Sequence, residues 1–180
     1  MTAVSGAAYT LGRWADLFTV TATVAATLLG LLFVVLTLDR DQLTSDPVRS
    51  AWARECFGGL VALLVIGLSG LVPESNPKQF GIALIALGAI LAAIGVSLQI
   101  RTLHRLPLER RPTWLLRVGV LNAAALTTIV AGATLLAQSG GGLYWILATV
   151  AIYLGWSLAN AWRLVIPARE PDGQSGVVQQ

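Results

Sequence analysis

The chain has 180 residues, of which 56% are hydrophobic and 12% charged, with a formal charge of +3 and a mean hydropathy of +0.74. Soluble domains carry roughly 25% charged residues, so half the usual surface charge is missing and a soluble globule is excluded. Cys56 is the single cysteine, which excludes an intramolecular disulfide and any paired-cysteine metal or redox motif.

Residues 1–14 read as a short tail of polar and small residues ending in Trp14, an interfacial anchor beside Phe18. The stretch that follows holds 22 uncharged residues, Leu17 to Leu38. At about 1.5 Å per residue it is long enough to cross a ~30 Å hydrocarbon layer. It does not read as a signal peptide. Arg13 is offset by Asp16, the apolar run is too long, and Thr37-Leu38-Asp39 is a poor cleavage site. Asp16, Thr23, Gly30 and Thr37 recur every seven positions, with Val20, Thr27, Val34 and Asp41 beside them. That repeat aligns Thr23, Thr27, Gly30 and Thr37 in a narrow stripe on one helix face. Such a stripe either lines a path for water or a small ion or lets another helix approach closely.

Asp39-Arg40-Asp41 and Thr44-Ser45-Asp46-Pro47 break this helix, Asp46 with Pro47 behind it is a candidate cap for a new helix start, and a second helix is expected over about 51–72. Pro73-Glu74-Ser75-Asn76-Pro77 reads as a tight loop, and a third helix follows over about 80–103. Gly58, Gly59, Gly67 and Gly70 in the second helix, and Gly81, Gly88, Ala92 and Gly95 in the third, make grooves for close helix packing. The next stretch is basic. Arg101, Arg105, Arg110, Arg111 and Arg117 alternate with leucines and Trp114, divided by Pro107 and Pro112. It is expected to attract anionic lipid, at about 1 kcal/mol per basic residue, or to serve only as a topology signal. A fourth helix is expected over about 114–138. Ser139-Gly140-Gly141-Gly142 then turns the chain into a fifth over about 143–166, forming an antiparallel hairpin. Pro167 ends it, and the tail 167–180 has the composition of a disordered segment.

The expected class is therefore all-α: a polytopic bundle of five transmembrane helices. With five crossings, ten of the twelve basic residues fall on the side of the first loop, the third loop and the C-terminal end. The positive-inside rule then places the N-terminus outside and the C-terminus in the cytoplasm of a cell inner membrane. Trp14, Phe80, Tyr144 and Trp145 fall at the outer ends, and Trp52, Trp114 and Trp162 at the inner ends. An odd helix count does not fit the inverted-repeat build of many secondary transporters.

Inside the membrane, Asn122 and Asn160 are the most polar side chains away from the edges, and a buried amide in lipid needs a partner. Thr149, Tyr153, Trp156 and Asn160 share one face of the fifth helix. Asn122, Tyr153, Trp156 and Asn160 are thus either the lining of a small cytoplasm-facing pocket or hydrogen-bonding glue between helices. No ionisable residue interrupts the five charge-free runs, whereas proton-coupled carriers and pumps usually keep one. Ser69, Ser97 and Ser157 have no His or carboxylate in those runs to activate them, and His104 has no second ligand nearby. No catalytic residue, metal site or cofactor is expected. Nucleic-acid binding lacks a supporting fold.

The segments Ala25-Ala26-Thr27-Leu28-Leu29-Gly30-Leu31-Leu32-Phe33-Val34-Val35-Leu36-Thr37-Leu38 and Gly67-Leu68-Ser69-Gly70-Leu71-Val72-Pro73 resemble those of small actinobacterial membrane proteins. Some of these are automatically labelled modulators of the FtsH protease. The resemblance covers about a third of the chain and carries over no functional residue. The expected role is a non-catalytic partner or regulator of another membrane protein, acting through small-residue faces and the basic loop. The alternative is an oligomeric channel or passive carrier with first helices around a Thr-lined path.

Overall fold

The computed structural model describes residues 6–38, 47–73, 76–103 and 111–165. Five helices carry the described chain: α1 (Ala15–Leu38), α2 (Pro47–Gly70), α3 (Pro77–Leu103), α4 (Arg111–Ala137) and α5 (Tyr144–Val165). All five are long and apolar enough to cross a membrane, and no strand occurs among the described residues.

Three helices begin three or four residues earlier than the apolar runs suggest. Proline opens α2 at Pro47 and α3 at Pro77, where its missing N–H is one that no helix would satisfy. Asn76 caps α3, its Oδ1 accepting from the Lys78 amide at 2.9 Å. The turn residues thus belong to the helices. The fourth helix ends with Gln138 in the left-handed region (φ 51°), and the Ser139 amide reaches back to the Thr134 carbonyl at 3.2 Å. Gly140, Gly141 and Gly142 also have positive φ, which is how so short a connection reverses the chain.

The spatial order of the helices differs from the chain order. α1 lies along α2, α2 along α5, α5 along α4 and α4 along α3, so each neighbour is antiparallel to the next. The fifth helix is therefore the one that joins the α1–α2 hairpin to the α3–α4 hairpin. Its buried side is continuous: Leu143, Ile146, Thr149, Tyr153, Ser157, Asn160 and Leu164 recur at helical spacing. Large apolar side chains such as Phe33, Ile82, Leu115 and Leu126 point outward, as expected where the solvent is lipid.

Glycines set the helix separations. A Cβ on Gly132 of α4 would run into the Gly81 carbonyl of α3 and lie 2.7 Å from Ile85 Cγ1, and one on Gly88 would lie 2.7 Å from Ile129 Cγ1. Gly67 and Gly70 of α2 likewise admit Ala22 and Phe18 of α1. At the end formed by residues 6–14 and the α2–α3 and α4–α5 loops, all five helices share one apolar cluster around Phe18, Ile66, Phe80, Leu135 and Ile146. Phe18 and Phe80 meet edge-to-face at 5.5 Å, and Trp14 and Tyr144 at 4.9 Å. Residues 6–14 are not an extended tail. They fold over this end through a 3-10 turn at Leu11–Trp14, with the Leu143 amide on the Ala8 carbonyl (2.9 Å) and the Trp14 indole on the Ala7 carbonyl (2.8 Å). The tail 167–180 lies outside the described residues.

Gly132→Ala should cost about 1–3 kcal/mol, because neither the Gly81 carbonyl nor Ile85 can yield without separating α3 from α4. Gly155→Ala, with open space around it, should be near neutral. Unfolding titrations in mixed micelles compare the two, and equal losses would show that glycine packing does not set the α3–α4 distance.

Candidate functional site

The structure divides the residues singled out from the sequence into three groups. The first is the stripe of α1. Thr23, Thr27, Gly30 and Thr37 all lie on the exposed face, and nothing comes within 4 Å of a Cβ built at Gly30. The hydroxyl of Thr23 donates to the Thr19 carbonyl and that of Thr27 to the Thr23 carbonyl, each at 2.8 Å. Thr37 donates to the Val34 carbonyl at 2.8 Å. The donors are spent on their own helix while the oxygen lone pairs stay outward. The chain's own packing uses the opposite side of α1, through Phe18, Thr21, Ala22, Ala25 and Leu32.

The second group is the polar seam of α5. Thr149 Oγ1 lies 3.1 Å from Thr127 Oγ1 of α4 and 3.2 Å from the Trp145 carbonyl. One turn on comes the buried Tyr153, and on α4 the buried Thr128 hydroxyl donates to the Ala124 carbonyl. At the next turn the seam switches to α2. The Ser157 hydroxyl donates to the Cys56 carbonyl (3.4 Å), and the Cys56 thiol donates to the Ser157 carbonyl (3.3 Å). Gly59 makes this approach feasible, since a Cβ there would lie 2.7 Å from Ser157 Oγ. Ser157 is thereby committed to a backbone carbonyl, as is Ser97, which donates to Ile94 at 2.8 Å.

Toward the arginine-rich end this pattern of satisfied bonds stops. Asn160 is 0% exposed, yet among the described residues neither its Nδ2 nor its Oδ1 has a partner, and the buried Trp156 Nε1 has none either. Asn122, the fourth member of the expected pocket, stands on the other side of α4. Its amide donates to Gln99 Oε1 of α3 (3.2 Å) and to the Val118 carbonyl (2.8 Å). Asn122 therefore ties α3 to α4, while Tyr153 and Asn160 lie on the buried side of α5. The four do not line one pocket.

The third group is the basic stretch. Arg105 and Arg110 lie outside the described residues, Arg101 falls in the last turn of α3, and Arg111 is the first residue of α4. Arg117 is different. It stands six residues into α4, and its Nε donates to Glu55 Oε1 of α2 as an ion pair whose side chains are 24% and 18% exposed. The second carboxylate oxygen, Glu55 Oε2, is buried with no partner among the described residues. Arg117 is thus part of the bundle rather than of a loop surface.

Glu55 escapes a reading by charge-free runs because such a run begins one residue later, at Cys56. A usable signal was present: helical spacing puts Glu55 in line with Trp52 and Gly59, on a helix that proline opens at Pro47. Among the described residues no three of His, Cys, Asp or Glu come together as metal ligands. An apolar groove of about 200 Å³ lies between α1, α2 and α5, lined by residues including Leu28, Leu32, Leu60 and Leu158. No family model, curated protein or solved structure matches the chain, so its site rests on these residues alone.

Removing one member of the Glu55–Arg117 pair leaves the other charge without its counter-ion. Glu55→Gln and Arg117→Gln should each cost about 2 kcal/mol, less than a fully enclosed pair because both ends keep some solvent access. The double variant should recover part of the sum. Strict additivity in a double-mutant cycle would mean that the two side chains are not coupled.

Proposed function

We propose that this protein is a non-catalytic membrane component, a partner or regulator of another membrane protein, which it meets through the outer face of α1. One observation carries the reading. Gly59, Gly67, Gly70, Gly81, Gly88 and Gly132 of α2, α3 and α4 are met by neighbouring helices, whereas Gly30 and its flanking threonines are covered by none of the described residues. In lipid, apolar surface alone does not bring helices together. Small residues that permit close backbone approach, and outward hydroxyl oxygens that accept weak bonds, do. α1 presents that combination on its free side.

The arginine-rich end is taken as cytoplasmic and the N-terminus as external, in a cell inner membrane, on the strength of ten basic residues against two. Arg101, Arg105, Arg110 and Arg111 then adjoin the anionic leaflet and anchor the bundle there. Arg117 is left out of that surface because Glu55 already holds it. The weak resemblance to proteins labelled as protease modulators fits a regulatory role and adds no residue to it.

A second reading is favoured by the outward oxygens of Thr23 and Thr27. In a ring of copies with α1 at the centre, they would line a path for water or a small ion. Two measurements separate the readings. A photo-reactive residue placed at Gly30, followed by native mass measurement of the gently extracted complex, should give an adduct with a different membrane protein. Adducts only between four or more copies of this chain would support the path, and adducts with lipid alone would overturn both. In the ring case, Thr23→Val with Thr27→Val should abolish flux in proteoliposomes without altering assembly. For the loop, Arg110→Gln with Arg111→Gln should lower the amount of anionic lipid that co-purifies. Unchanged retention would remove the lipid contact from the proposal.

A further inference from the structure

We propose that the interior of the bundle between Glu55, Arg117, Trp156 and Asn160 is a hydration site: a small cluster of bound water entering from the arginine-rich end. The inference is independent of the outer face of α1. It starts from four buried polar atoms that no described residue satisfies: Glu55 Oε2, Trp156 Nε1, Asn160 Nδ2 and Asn160 Oδ1. Native interiors rarely leave such atoms unpaired, and the usual remedy is ordered water.

The register brings these groups to one depth. The Cys56–Ser157 pair and the Arg49 guanidinium on the Leu164 carbonyl (2.8 Å) fix how α2 and α5 run past each other. Asn160 then lies opposite Ala53, within a turn of Glu55. Thr149 beside Thr127 fixes α5 against α4 in the same way and sets Asn160 level with Arg117. Arg117 in turn holds Glu55. α2 and α4, each packed on α5 and joined to one another by the Glu55–Arg117 pair, thus place an ion pair, an amide and an indole at about the same depth, roughly 8–14 Å from their helix ends.

The chemistry of these groups selects the occupant. Glu55 Oε2 and Asn160 Oδ1 accept, while Trp156 Nε1 and Asn160 Nδ2 donate, so the occupant must do both. Arg117 opposes a cation and Glu55 opposes an anion, so it carries no net charge. An apolar molecule would leave all four atoms stranded. Water meets every condition, and it also screens an ion pair that would otherwise bear the full cost of desolvation. The site is a blind inlet. Beyond it, Ser157 and Thr149 already have their partners, and the far end of the bundle is closed by the Phe18–Phe80 cluster.

The test uses the full chain in lipid nanodiscs, labelled with 15N at tryptophan and asparagine. Water-selected magnetisation transfer is read at the Trp156 indole, identified by its loss in Trp156→Phe, and at the Asn160 side-chain amide, identified by its loss in Asn160→Leu. Transfer from water to both groups is expected, and its absence at both overturns the proposal. A second measurement needs no assignment. Asn160→Leu keeps the side-chain shape but removes both of its polar atoms. If water fills the site, Leu strands that water and Glu55, and the unfolding midpoint falls. If the site is dry, Leu removes two unsatisfied atoms and the midpoint rises, which also overturns the proposal.

Discussion

The reciprocal hydrogen bonds between Cys56 and Ser157 are the contact on which the rest of the bundle depends. They join α2 to α5, and α5 is the helix that couples the α1–α2 hairpin to the α3–α4 hairpin. Hydrophobic burial cannot fix this alignment in a membrane, because lipid is as apolar as the side chains it would replace. A pair of bonds that each backbone makes to the other's side chain does fix it, since sliding by one residue breaks both. Gly59 is required for the same reason: without its bare Cα, Ser157 could not come near enough.

The two ends of the molecule solve the packing problem in opposite ways. At the end capped by residues 6–14, aromatic edges and bare glycines bring all five helices into one apolar cluster. At the arginine-rich end, the helices are held by the Glu55–Arg117 pair and by Asn122 on Gln99, contacts that are specific in partner but leave polar atoms that no described residue satisfies. Dense apolar packing resists change in every direction. An ion pair beside unsatisfied amides tolerates rearrangement, because other pairings of similar energy are within reach. Any response of this protein to lipid or to a partner is therefore expected at the arginine-rich end.

Helix number and class were legible because each apolar run is long enough to span a bilayer. Helix starts were less legible, since Pro47, Asn76 and Pro77 are loop formers in composition yet caps and first-turn residues in position. The glycine grooves could be seen in the sequence, but not which glycines would be used. Gly67, Gly81 and Gly88 meet a neighbouring helix, while Gly58 and Gly95 do not, and only the spatial order of helices decides that. Asn160 was recognisable as a polar residue in a membrane span. That Asn122 would face the other side of α4 was not, because Gln99 lies on a helix that approaches from there. Arg117 looked like its loop neighbours. What distinguishes it is a partner 62 residues away, invisible to any local pattern.

The position of α5 has a consequence for how the protein is made. Helices enter the membrane in chain order, and the one that sits between the two hairpins is the fifth of the five described. Until it arrives, α2 and α4 each expose a side meant for it, and Glu55 and Arg117 have no third helix to shield them. The amide of Leu143, which ties residues 6–14 down at Ala8, is also still unmade. The shared interior therefore forms only once α5 stands between the two hairpins, and the tie from residues 6–14 to Leu143 closes with it. A chain interrupted before residue 144 would not be a smaller version of this protein. It would be two hairpins with no common interior, each displaying polar groups that membrane quality control is equipped to recognise.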